Sequence, residues 1–254
     1  MAAKLLTVAR DLHRRKARER SGLFVCEGVR ATEELLRSPL EIRGVLMGPG
    51  LDSAARGQAL RDRIEERGLP VLELDEAEFA TAASTDAPQG VLAIAAVPEI
   101  TLDTLAVPPR ARVLVLDAVQ DPGNAGTMLR TAAALGASAT LAAPGTVDLW
   151  NAKVVRSAMG ALFHYPALAV SWDALDGFLR DHAIPLWGAD VEGQPVETIA
   201  PPTTVALAVG NEGAGLSANA RTRCARLVAI RLAPEIESLN VAVAAGILLH
   251  HFRE

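Results

Sequence analysis

The stretch LDAVQDPGNAGTMLRTAAALGA, residues 116–137, decides how the rest of the chain is read. An apolar strand ends at Asp117, a loop carries Pro122, Gly123 and Asn124, and a helix is predicted over 124–136. Such a join, at the carboxyl end of a strand, is where α/β proteins keep ligands. The loop lacks the G-x-G-x-x-G spacing of a dinucleotide fold. Asp-Pro-Gly predicts a tight turn, with Asn124 capping the helix behind it. That leaves Arg130, which either points to solvent or works on whatever the loop holds.

Outward from this loop the chain alternates strand and helix. Apolar strands are predicted at 112–119, 139–144, 165–170, 185–190, 204–210 and 227–232, with helices at 124–136, 151–161, 172–182, 217–223 and 238–251. Near-continuous apolar strands separated by helices predict a parallel sheet covered on both faces. Upstream, strands at 22–28, 42–48, 71–75 and 89–97 alternate with helices at 29–37 and 54–67, a smaller α/β unit. The proline-rich VPEITLDTLAVPPRAR (97–112) separates the two. The expected organisation is a first domain at 1–97, a linker at 98–111 and a second domain at 112–254.

Two more loops at strand ends carry polar residues that structure alone does not require. In VGNEGAGLS (209–217) the glycines permit close backbone approach and Ser217 can cap a helix, but Glu212 has no evident structural task. In IRLAPEIESLNVAVAAGILLHHF (230–252) Ser238 is the expected N-cap, and Asn240 lies in the first turn of a buried helix. A helix start carrying Ser and Asn offers donors to a phosphate or a ribose.

Composition narrows the classes. With half of its 254 residues hydrophobic and 22% charged, the chain is globular rather than disordered. The apolar run 241–249 is too short to span a bilayer, and the N-terminus lacks a signal-type apolar stretch. Cys26 and Cys224 stand alone, which fits a cytoplasmic protein and gives no metal or disulfide signal. No nucleophile elbow, Walker loop or H-E-x-x-H is present. The polar residues suit binding and orientation better than covalent catalysis. Net charge is −5, yet residues 1–30 hold eight basic side chains against three acidic ones. Arg10, Arg14 and Arg18 share a face if this segment is one helix, either a solvated surface or a phosphate-binding one.

Taken together and in this order, the three loops resemble the SpoU (TrmH-type) family of RNA ribose 2′-O-methyltransferases. The first motif carries Asn124 and Arg130, the second Gly210 and Glu212, the third Ile230, Ser238, Leu239 and Asn240. A fourth similar stretch, KVVRSAMGALFHYP (153–166), contains Arg156. The match spans 112–252, while RRKARERSGLFVCEG and QGVLAIA resemble, more weakly, the family's small RNA-substrate domain of the ribosomal-protein L30e type.

The resemblance implies a C-terminal α/β knot with a parallel sheet and a smaller N-terminal α/β domain. It implies S-adenosylmethionine (SAM) as cofactor, held around Gly210, Ile230 and Leu239, with Arg130, Asn124, Glu212, Ser238 and Asn240 as the catalytic set. It implies a homodimer acting on RNA, ribosomal in preference to transfer RNA, with no membrane and no metal. Arg10, Arg14, Arg15, Arg18 and Arg156 are the expected RNA contacts. One departure stands out: the family's Ile-Pro-Met is here Ile230-Arg231-Leu232, which places an arginine close to the expected cofactor. The alternatives are a non-catalytic RNA-binding or assembly protein and, from architecture alone, a nicotinamide-dependent dehydrogenase.

Overall fold

The computed structural model describes residues 2–253 and falls into two compact units. Unit 1 comprises the chain up to Glu99 together with Trp150–His164; unit 2 comprises Ile100–Leu149 and the chain from Tyr165 onward. All but the first two residues of the expected linker therefore belong to unit 2, where Leu102, Leu105 and Val107 pack against its core. The stretch 150–164, expected in the second domain, packs with the first.

Unit 1 opens with α1 (Ala2–Asp11) and α2 (Arg15–Ser21), followed by β1 (Leu23–Glu27), α3 (Val29–Arg37), β2 (Ile42–Met47), α4 (Ala55–Glu66), β3 (Val71–Glu73), α5 (Glu76–Ala80) and β4 (Val91–Ala96). The sheet order is β1-β4-β2-β3, with β4 antiparallel to both neighbours and β2 parallel to β3. Leu12, Val25, Leu46, Phe79, Leu92 and Ile94 form one core cluster. Phe24 explains why 150–164 docks here: its ring lies 4.6 Å from Trp150 and 5.8 Å from Phe163 between centroids. Gly160, at φ +88°, permits the close approach of this segment to α3, since a Cβ there would sit 2.7 Å from that of Glu34.

The single basic face expected at 10, 14 and 18 does not form. The chain breaks between α1 and α2, and Arg18 is buried, donating to the carbonyls of Leu12 (2.6 Å) and His13 (3.0 Å). Arg18 thus satisfies the turn's backbone, and its burial sets it apart from the exposed arginines with which it was expected to contact RNA. Arg10, Arg14 and Arg15 are exposed.

Unit 2 contains β5 (Arg112–Leu116), α6 (Pro122–Ala134), β6 (Ala139–Ala142), β7 (Ala167–Ala169), α8 (Trp172–Asp181), β8 (Leu186–Pro195), β9 (Val205–Val209), α9 (Ala218–Arg223), β10 (Arg226–Ala229) and α10 (Val241–His251). Between β6 and β7, α7 (Ala152–Ser157) crosses into unit 1. The sheet is parallel throughout, in the order β10-β8-β9-β5-β6-β7. β5 and β9, at the centre, are buried along their whole length, in keeping with their near-continuous apolar runs.

The chain leaves β5 toward one edge and returns from the other, so the order switches between β5 and β9. Ligands bind beyond the strand ends at such a switch, and the first two motif loops meet there. The tail completes the arrangement. From the edge strand β10, residues 230–240 lead to α10, which packs on α6 and β9. Buried Arg112 then clamps the end of α10, its Nε donating to the Phe252 carbonyl at 2.5 Å while its other nitrogens reach the carbonyls of Thr203 and Pro202.

Candidate active site

The site grows from two acids at the end of β5. Asp117 is 1% exposed and accepts from the Ser217 amide at 2.6 Å and its hydroxyl at 3.0 Å. It thereby pins the loop that follows β9, while Ser217 caps α9 by accepting from Ala220 at 3.1 Å. Asp121, not Asn124, caps α6: its Oδ1 accepts from the Asn124 amide at 2.7 Å, with Pro122 at the first helical position. The side chain of Asn124 is left free for other partners.

Those partners join all three motif loops. Asn124 Nδ2 donates to Glu212 Oε1 at 3.2 Å, and Asn240 Nδ2 donates to Asn124 Oδ1 at 3.0 Å. Asn240 proves to be the N-cap of α10 in place of Ser238, its Oδ1 accepting from Ala242 (2.9 Å) and Val243 (3.3 Å). Glu212 also accepts from the amides of Asp121 (3.2 Å) and Gln120 (3.4 Å). Burial works to raise its pKa, but these backbone donors and Asn124 outweigh it and hold the carboxyl below its ordinary range. An ionised carboxylate can only accept. Its charge therefore sets both amides: Asn124 must turn its NH2 to Glu212, which leaves its oxygen for Asn240 and Asn240's oxygen for the helix.

Beside this relay lies a cleft of about 460 Å³, within the ~300–1,000 Å³ usual for small-ligand sites. Gly210, Glu212, Ile230, Ser238 and Leu239 all border it, with Val209 and Leu248 adding apolar wall. Gly210 is where backbone comes nearest: a Cβ there would lie 2.2 Å from the Gly215 carbonyl. The 211–215 turn is closed by two backbone hydrogen bonds, each amide of Asn211 and Gly215 donating to the other's carbonyl at 2.9 Å.

Arg231 departs from its expected place near the ligand. Ile230 and Leu232 border the cleft, whereas Arg231 does not and is exposed. The arginine that stands in place of proline is thus turned away from the cleft. Arg130 is exposed on α6, does not border the cleft, and has no hydrogen bond or ion pair among the described residues. Arg156 lies in unit 1, donating to Ser84 Oγ at 3.3 Å, and Ser84 in turn is held by buried Glu27. Sequence reasoning missed Asp117 and Asp121 as anchors, although Asp followed by Pro is itself a helix-start signal.

Comparison with known proteins settles the family. Residues 111–250 match the model of the SpoU rRNA Methylase family, and residues 7–93 that of the MRM3-like substrate binding domain. The chain belongs to the SpoU rRNA methylase family. Among SpoU relatives, the 23S rRNA (guanosine(2553)-2′-O)-methyltransferase RlmP of Bacillus subtilis is 35% identical over 96% of this chain and 94% of its own length. The SpoU methyltransferase AviRb of Streptomyces viridochromogenes, solved in complex with AdoMet, superposes with a TM-score of 0.85 at 28% identity, covering 98% of this chain and 96% of that one. An AdoMet-bound rRNA methyltransferase from Sinorhizobium meliloti superposes equally well, at 28% identity over 98% of this chain and 94% of its own. The SpoU chain described here thus has the α/β knot of SPOUT methyltransferases in unit 2 and the smaller α/β substrate domain in unit 1.

Proposed function

We propose that this chain transfers a methyl group from SAM to a ribose 2′-hydroxyl of ribosomal RNA. The observation that carries this is the Glu212–Asn124–Asn240 relay, which ties the three motif loops together beside a cleft bordered by Gly210, Ile230 and Leu239. The cleft fits SAM by its chemistry: apolar walls for a base and thioether-like chain, and close-approach backbone at Gly210. Bound there, SAM supplies a methyl group on a sulfonium, whose departure leaves a neutral sulfide.

What the residues must add is alignment and the management of one proton. Positioning alone can supply ~7–11 kcal/mol, so a site without a nucleophile is chemically sufficient. Guanidinium groups keep their proton at physiological pH, which makes Arg130 a clamp rather than a base. Its two-pronged donor face grips the phosphate next to the reacting ribose and steadies the oxyanion that develops. The proton leaves to phosphate or water. Ser238, which borders the cleft, and the relay hold ribose and cofactor in register.

The working form in this reading is a homodimer formed through α6 and α10. Val243 and Ile247 on α10 are 51% and 41% exposed, and they border a groove of about 650 Å³ together with Thr127 and Thr131 of α6. Apolar side chains clustered on one groove mark an interface, and the one formed here would bring a second copy's α6 and its Arg130 to the site. Ile247→Asp should sediment as a monomer and lose methyl transfer; a dimer that survives this charge would refute the α6–α10 interface.

In this reading Arg10, Arg14, Arg15 and Arg156, all of unit 1, contact the RNA. Arg14 pairs with Asp11, and Arg15 with Glu19 at 2.7 Å, both exposed pairs of the kind that contributes little. They exchange readily for phosphate. Replacing Arg14 and Arg15 by Gln should flatten the salt dependence of RNA affinity by about one unit of log–log slope per lost contact; an unchanged slope would return them to ordinary surface residues. The proposed compartment is the cytoplasm, in keeping with the free Cys26 and Cys224, and cell fractionation checks it. Calorimetric titration with SAM and with NAD separates this function from a dehydrogenase: only SAM should release or absorb binding heat.

A further inference from the structure

Asp190 lies on β8 at the border of the cleft, outside all three motif loops. Its side chain is only 5% exposed, yet it lines the cleft together with Arg221 of α9, whose side chain is 40% exposed. Oδ1 accepts from the Glu192 amide at 3.0 Å, and Oδ2 accepts from the Arg221 guanidinium. A carboxylate oxygen has two acceptor positions, so each oxygen of Asp190 has one left. Each oxygen therefore already meets one donor, and among the described residues the side chain has no further hydrogen bond. The remaining acceptor positions, on a side chain that lines the cleft, are open to donors from whatever fills it.

The chemistry of the pair selects that donor. An ammonium would meet Asp190 but be repelled by Arg221, and a ligand carboxylate would meet the reverse conflict. A hydroxyl both donates and accepts, so neighbouring hydroxyls can give their protons to Asp190 while taking an N–H from Arg221. The base of an adenosyl group finds its contact area instead on the apolar wall formed by Val209, Ile230 and Leu239. We propose that Asp190, held in place by Arg221, accepts hydrogen bonds from the vicinal ribose hydroxyls of the adenosyl moiety of SAM. Asp190 is then a binding residue for the methyl donor and Arg221 its positioning residue. This rests on the cofactor reading given above.

The test is a set of calorimetric titrations with S-adenosylhomocysteine and with its 2′-deoxy, 3′-deoxy and N6-methyl forms. The wild-type protein should bind the parent compound roughly ten- to a hundredfold more tightly than a form lacking a contacted hydroxyl, the range for hydrogen bonds to charged groups. Asp190→Asn, equal in size, should lose a similar factor for the parent compound and little for the deoxy forms, so the two losses do not add. Arg221→Gln should reduce the hydroxyl preference without abolishing it. Equal losses of Asp190→Asn for every ligand would make Asp190 merely structural and overturn the proposal. So would wild-type protein that ignores the hydroxyls, a measurement that needs no variant to fold, or non-additivity that falls on the N6 position instead. Failure of the wild type to bind any of these ligands would strike the cofactor assignment itself, an outcome distinct from the other three.

Discussion

Arg130→Lys should slow single-turnover methyl transfer by roughly 10²–10³-fold while leaving the affinity for SAM unchanged. The factor is the usual loss when one preorganised donor to a developing oxyanion is removed. Lysine keeps the charge but not the planar pair of N–H groups that grips a phosphate in two places. Two features make the measurement clean. Arg130 is exposed and forms no hydrogen bond within the described chain, so its replacement should leave the melting temperature where it was. It also lies off the cleft, so cofactor binding should not register the change. Near wild-type rates for the lysine variant would show that charge alone suffices and would remove the two-pronged clamp from the mechanism.

Gly210→Ala should raise the dissociation constant for SAM by about ten- to a hundredfold and lower stability by about 1–3 kcal/mol, the cost of overpacking a fitted site. The new methyl would stand 2.2 Å from the carbonyl carbon and oxygen of Gly215 and 2.4 Å from the Leu216 amide. These are backbone atoms and cannot rotate away. Nor can the turn yield easily, because Asn211 and Gly215 are bonded to each other and buried Asp117 anchors Ser217 just beyond. The matched control is Gly213→Ala in the same loop. There the nearest atom would be Asn211 Oδ1 at 3.8 Å, an ordinary contact, and affinity should hold. Loss of binding in the Gly213 variant but not the Gly210 variant would contradict the assigned loop geometry.

Much of this was legible in the chain before folding. Near-continuous apolar runs at 112–119 and 204–210 lead to β5 and β9 at the centre of a parallel sheet, since strands buried on both faces read that way. The motif loops fall at the carboxyl ends of those strands because topology puts ligand sites there. What escaped the sequence were choices between near-equivalent local partners. Asn124 and Asp121 can both cap a helix, and the proline at 122 decides for Asp121; Ser238 and Asn240 compete in the same way, and Asn240 wins. Both outcomes matter, since the first frees the Asn124 side chain for Glu212 and the second points Asn240 at Asn124.

Long-range pairings were illegible for a different reason. Nothing in the helical pattern of 150–164 names its docking partner, which is set by the ring of Phe24 more than a hundred residues earlier in the chain. Arg18 reads as part of a basic face, yet a break between two short helices turns it inward to two carbonyls. The side to which Arg231 points depends on the path the chain takes beyond β10, which the residue types at 230–232 do not fix.

Transfer of labelled methyl from SAM to ribosomal RNA, followed by digestion to nucleosides, tests the central claim most directly. The wild-type protein should place the label on a single 2′-O-methylnucleoside, and Arg130→Lys should place it there far more slowly. Label on a base, or tight RNA binding with no label transferred at all, would contradict a ribose 2′-O-methyltransferase built on the Glu212–Asn124–Asn240 relay.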